Sequence, residues 1–78
     1  MNDCIVEASE LAAIAKQFRE TSGKTQTEAA RELGVAGPTM FQAEENPRQS
    51  LQKLRKRIIE TYSDYEVIGP VYLLREKK

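Results

Sequence analysis

Residues 25–45 constrain this chain most, because they leave room for two short helices and almost nothing between them. Thr25-Gln26-Thr27-Glu28 has the residue types of a capping box. In that motif the Thr25 hydroxyl accepts from the backbone N–H three residues on, and the Glu28 carboxylate reaches back to the Thr25 N–H. Ala29, Ala30 and Leu33 then give the helix an inward face of small residues, and Gly34 can close it in the left-handed conformation. Val35-Ala36-Gly37 is too short for anything but a tight turn. Pro38 suits the first position of the next helix, with Gly37 as its cap. That helix runs from Pro38 to about Glu45, turns Met40, Ala43 and Glu44 inward, and is broken by Asn46-Pro47, since a residue before proline is pushed out of the helical region.

Two helices joined this tightly must cross at a steep angle. Ala29 and Ala30 are small where the crossing falls, Leu33 and Val35 seal the turn, Gly34 tolerates a positive φ, and Met40 and Ala43 face the core. The set and its spacing read as a helix-turn-helix unit.

The flanks supply the rest of the domain. Leu11, Ile14, Ala15 and Phe18 fall at the spacing of one helical face, so a first helix is expected from Ser9, as its N-cap, to Thr21, ending at Gly23. Upstream, Cys4-Ile5-Val6 is a short apolar run that either extends along the core or pairs as a strand. Asn46 and Pro47 can serve as cap and first turn of a fourth helix ending near Tyr62, with Leu51, Leu54, Ile58 and Tyr62 as its apolar stripe. Lys53, Lys56, Arg57 and Glu60 lie mostly elsewhere around it, and Arg55-Lys56-Arg57 reads as a solvated face. The segment 65–74 is β-branched and aromatic, hence strand-like, and charged residues 75–78 follow it. The expected architecture is mainly α: a four-helix domain over residues 1–64 and a C-terminal β-strand arm over residues 65–78.

Composition narrows the chemistry. With 78 residues there is room for one domain. The chain has no His and one Cys, which excludes histidine-based catalysis and an internal disulfide framework. No nucleophile–base pair, phosphate loop or metal-ligand set is present, so no enzyme, cofactor or metal is expected, and Cys4 reads as a small packed or frayed residue. No apolar stretch approaches the roughly 18–20 residues that span a bilayer, and no secretory pattern is visible, so a cytoplasmic protein without a membrane partner is expected. Twelve Lys+Arg balance twelve Asp+Glu, which argues against nucleic acid until the charges are located. Residues 1–46 carry eight acids and four bases; residues 47–78 carry four acids and eight bases. The neutrality is a cancellation.

Gly23-Lys24-Thr25-Gln26 followed by Glu28-Ala29-Ala30 and Leu33-Gly34-Val35 resembles the helix-turn-helix family of phage Cro and repressor proteins, often called the XRE family. The resemblance covers roughly residues 10–47. It implies a lambda-repressor-like fold and a sequence-specific DNA-binding regulator of transcription, a repressor by expectation. It implies that Gln26 and the helix N-terminus behind it hold a DNA phosphate. It also implies an ion pair between Arg19, in the first helix, and Glu44, ending the third. Thr27 and Thr39 are expected on phosphates beside Gln26, with Arg48 flanking, while Pro38, Phe41 and Gln42 enter the major groove. Gln42 has the donor–acceptor pair that matches an adenine edge, and Phe41 can lie on a thymine methyl. Glu45 departs from a good reading face, because it repels the backbone.

A lone strand leaves unpaired N–H and C=O groups, so the tail must find a partner. It can form a hairpin about Gly69-Pro70, pair with residues 3–6, or pair with the same strand of a second copy. The last is favoured here, with Val67, Ile68, Val71, Tyr72 and Leu73 as the dimer interface. A twofold dimer then reads a palindromic operator in double-stranded DNA. The rival is a protein-interaction module on the same fold, such as an antitoxin that binds a toxin partner, which the exposed Phe41 and the apolar tail also suit.

Overall fold

Helix α1 (Leu11–Thr21) packs on helices α3 (Gly37–Glu45) and α4 (Gln52–Tyr62). The computed structural model describes residues 4–69 and 72–77. Helix α2 (Gln26–Leu33) packs on α3, and α4 carries the small sheet against its side. The strands are β1 (Cys4–Val6), β2 (Tyr65–Ile68) and β3 (Tyr72–Glu76). Over the described residues the molecule is mainly helical, with four α-helices and a three-stranded antiparallel sheet in the order β1-β3-β2.

The local signals in residues 23–36 act as expected. Thr25 Oγ1 accepts from the Glu28 N–H at 3.1 Å, and the Glu28 carboxylate accepts from the Thr25 N–H at 2.9 Å. Gly23 and Gly34 hold φ of +79° and +71°, the left-handed values that end α1 and α2 without a Cβ penalty. Three boundaries differ from the sequence reading. Ser9 is not the cap of the first helix; it sits inside a 3-10 turn over Ala8–Glu10, whose entry is held by the Glu7 N–H donating to Glu10 Oε1 at 2.7 Å. Ala36, not Gly37, is the N-cap of α3, which puts Pro38 second in the first turn, where its missing N–H is still no loss. Helix α4 starts at Gln52 rather than at Pro47. Asn46 is the reason: its Oδ1 accepts from the Arg48 N–H and its C=O from the Gln49 N–H, a side-chain turn that competes with helix.

The tail is a larger correction. It is not a lone strand awaiting a second copy, because β3 pairs on both sides within the chain. Tyr65–Ile68 forms a hairpin with β3 on one side, and the Cys4–Val6 run closes the other. On the expected interface, Val67 is paired with Leu74 and both point into the core, at 3% and 5% exposure. Tyr72 also packs on the core, with Tyr65 and Val6. Ile68 and Leu73 are paired one residue out of phase and so lie on the other face, in a row with Ile5. Val71 falls outside the described residues.

The core runs between the helices and this sheet: Leu11, Ala15, Ala29, Ala30, Leu33, Met40, Ala43, Leu54, Ile58, Ile59, Val67 and Leu74. Alanines at the α2–α3 crossing let the two helices approach closely, which is what the small-residue face is for. No helix among the described residues is long and apolar enough to cross a membrane.

Candidate functional site

The turn between α2 and α3 has three residues, Gly34 to Ala36, so the orientation of α3 is set by what holds its two ends. The first hold is ionic. Arg19 Nε donates to Glu44 Oε2 at 2.7 Å and Nη2 to Glu44 Oε1 at 2.8 Å, a two-pronged pair expected from the resemblance. Arg19 and Glu44 are 6% and 4% exposed. Arg19 Nη1 also donates to the Lys24 carbonyl, tying the α1–α2 loop into the same group. The Glu44 carboxylate beside it pushes the Arg19 guanidinium above its usual range. Gln26, the first residue of α2, donates through Nε2 to Glu44 Oε1 at 2.9 Å. One buried carboxylate therefore joins α1, the start of α2 and the last turn of α3.

The second hold was not anticipated. Arg55 is 0% exposed, although it stands between Lys56 and Arg57 of what reads as a solvated basic run. Its guanidinium donates to the Ala43 carbonyl at 2.8 Å, to Asn46 O at 2.7 Å and to Gln49 O at 2.8 Å, with Gln52 Oε1 a further acceptor. Among the described residues no carboxylate is bonded to it, and burial lowers the Arg55 pKa from its usual value. Arg55 thus collects the carbonyls that end α3 and begin the loop 46–51, in place of the helix turn expected there. The signal was in the spacing: Arg55, Ile59 and Tyr62 share one face of α4.

The outward face of α3 carries the residues singled out from the sequence. Pro38 is exposed, Phe41 is 50% exposed, and Gln42 is half-buried with its Oε1 accepting from Asn46 Nδ2 at 3.1 Å. Thr27 is exposed in the first turn of α2, and Arg48 is exposed in the loop after α3. Thr39 lies on the flank of α3, lining an open groove of about 570 Å³ with Val35, Ser50, Leu51, Lys53 and Arg57. Gln26 differs from the rest: it is half-buried and its amide nitrogen is spent on Glu44.

Charge on this side is redistributed by pairing. Glu45, the acid expected to repel a phosphate backbone, is bridged by Lys16 Nζ at 2.9 Å. Glu32 is bridged by Lys24 at 2.8 Å and also accepts from the Tyr62 hydroxyl, and both partners hold its carboxyl below the usual range. Glu28 is held low by the Thr25 backbone N–H. Among the described residues, Arg31, Arg48, Lys53 and Lys56 have no such carboxylate partner, and Arg57 donates to the Leu33 carbonyl. Among the described residues of the N-terminal half, Glu10, Glu28, Glu32, Glu44 and Glu45 are bonded locally, while the loop after α3 and the start of α4 keep free positive charge. No group of three His, Cys, Asp or Glu suited to a metal ion occurs among the described residues.

No protein-family model, no curated protein and no solved structure matches the chain.

Proposed function

We propose that this chain is a DNA-binding regulator of transcription, most simply a repressor, built on a lambda-repressor-like helix-turn-helix in which α2, the Gly34–Ala36 turn and α3 form the reading unit. The observation that carries the reading is the Arg19–Glu44–Gln26 group. It fixes the first turn of α2 to the last turn of α3 from behind and leaves the opposite face of α3 outward. On this reading α3 enters the major groove with Pro38, Phe41 and Gln42. The N-terminus of α2, through Thr27 and the backbone N–H of Gln26, whose side chain is held by Glu44, meets a phosphate on one side, while Thr39, Arg48 and Lys53 meet phosphates on the other. The Lys16 bridge to Glu45 supports it by removing the main repulsion from that face.

A dimer on a palindromic operator belongs to the same reading. Since β3 is central in its sheet, the twofold contact is assigned to the outer sheet face, where Ile5 is 76% exposed beside Leu73 and Ile68. Sedimentation of a monomer at micromolar concentration, with and without DNA, removes that assignment.

The test is a fluorescence-anisotropy titration of labelled duplex across a range of salt. With Arg48 and Lys53 engaged on each protomer, four cations per dimer, log K falls against log salt with a slope of about −3.6. Affinity that ignores ionic strength contradicts phosphate contact. Phe41, half-exposed on the presented face, favours a second reading: a protein partner seated on α3, such as the toxin of an antitoxin module. That reading gains if duplexes of any sequence fail to bind at low salt.

A further inference from the structure

Gln42 is not free to present both ends of its amide, and the reason lies in the loop behind it. The Asn46 backbone is held on three sides: its N–H donates to Gln42 O at 3.0 Å, and its carbonyl accepts from Gln49 N–H at 3.0 Å and Arg55 Nη2 at 2.7 Å. The Asn46 side chain then has two neighbours of fixed character. The Arg48 backbone N–H can only donate, so the atom facing it, at 3.3 Å, must be the Asn46 oxygen. That turns the Asn46 amide nitrogen toward Gln42. An amide nitrogen can only donate, so Gln42 must show it an oxygen, and Gln42 Oε1 lies 3.1 Å away. The orientation of both amides thus follows from one backbone donor, by the hydrogen-bond logic that settles such assignments. Gln42 Nε2 is left facing outward, and among the described residues it has no partner.

A free glutamine matches adenine, donating to N7 and accepting from N6. A glutamine whose oxygen already accepts from a fixed neighbour keeps one lone pair, but its amide is pinned and its two Nε2 hydrogens are what it offers freely. The edge that suits it is one of adjacent acceptors, and guanine N7 and O6 are that pair. We propose that Asn46 is a specificity-determining residue that pins the Gln42 amide with its donors outward, so that the base facing it is guanine rather than adenine. This rests on the proposal that α3 enters the major groove. Asn46 touches no base; it acts through Gln42, and Arg55 acts through Asn46 by holding the loop.

The experiment selects bound duplexes from a random-sequence pool with the wild-type chain and with Gln42→Ala, Asn46→Asp and Asn46→Ala. Gln42→Ala identifies the position read, as the column that loses its preference. In the wild type that column is guanine, favoured over adenine on the order of tenfold. Asn46→Asp keeps an acceptor for the Arg48 N–H but has no donor, so Gln42 turns its nitrogen inward and its oxygen out. The column then moves to bases with an exocyclic amine, cytosine or adenine. Asn46→Ala releases Gln42 and admits adenine beside guanine. Asn46 is exposed, so neither of its substitutions removes a core contact.

Adenine in the wild-type column, or guanine unchanged in Asn46→Asp, overturns the inference while leaving DNA binding intact. A pool that yields no enriched sequence with the wild type at low salt overturns the DNA reading and the inference with it. The side-chain amide resonances of Gln42 in the DNA-free protein separate the two failures. They shift in Asn46→Ala if the relay exists, whatever the chain binds.

Discussion

Replacing Arg19 by alanine removes both prongs of the Glu44 pair, at 2.7 and 2.8 Å, and the bond to the Lys24 carbonyl at 2.7 Å. The Glu44 side chain has 0% exposure, so its carboxylate loses its charge partner without reaching bulk solvent, and only Gln26 Nε2 remains bonded to it. Stranding one member of a buried pair costs about 3–5 kcal/mol. A domain of 78 residues has a total stability of about 4–12 kcal/mol, so the loss is a large share of the whole. With a urea dependence of about 1 kcal/mol per molar, the midpoint falls by about 3 M or more, read by far-ultraviolet circular dichroism with the slope held constant. The companion variant Arg19→Met with Glu44→Leu removes the stranded charge and recovers most of the loss, because an apolar pair of similar volume needs no partner. A loss below about 1 kcal/mol in Arg19→Ala refutes the reasoning, since that is what an exposed ion pair contributes. So does a double variant no more stable than the single one.

Three other perturbations probe separate links. Arg55→Leu leaves the Ala43 carbonyl buried without a donor and costs about 3 kcal/mol, while amide exchange speeds up at Gln49 and Leu51 in the loop it no longer holds. Unchanged exchange there means the loop is held by something else. Gly34→Ala costs about 1–2 kcal/mol in chemical denaturation purely through backbone strain, because φ is +71° and an added Cβ meets nothing within 4 Å. The Tyr62 hydroxyl, pushed up to about 12 by burial first and by Glu32 second, is favoured neutral in the folded state. Its contribution to stability is therefore whole below the ordinary value of 10.0 and fades as pH climbs toward about 12. In an ultraviolet titration the Tyr62 step comes late, and Tyr62→Phe abolishes it.

The parts of the molecule that were legible in the sequence are those specified within a few residues. The capping box at Thr25–Glu28, the left-handed Gly34 and the alanines of α2 each act over one helical turn, and each is found as read. The Arg19–Glu44 pair spans 25 residues and came from the family resemblance, not from spacing. What failed was long-range or competitive. Asn46-Pro47 looked like a helix start because both residues are good at that task. The side chain of Asn46 and the guanidinium of Arg55, nine residues on, captured the backbone groups first. For the tail, the sequence leaves a hairpin, a pairing with residues 3–6 and a pairing with a second copy all open, and the favoured third is not the one the fold uses. Cys4–Val6 completes its sheet, one of those alternatives, and pairing across some 70 residues leaves no local trace by which to choose it. Arg55 was missed for a related reason: a cation in a basic run reads as solvent-facing unless one asks which face of the helix it shares.

The central claim is that α3 and its two flanks are the surface that meets DNA. Backbone amide shifts of the labelled protein, followed as a short duplex is added at low salt, test it residue by residue. The account predicts that the largest changes fall at Gln26, Thr27, Thr39, Phe41, Gln42 and Arg48, with the core-facing residues Ala15, Ile58 and Leu74 unmoved. Changes centred instead on the outer sheet face at Ile5 and Leu73, or no changes at any duplex concentration, contradict it.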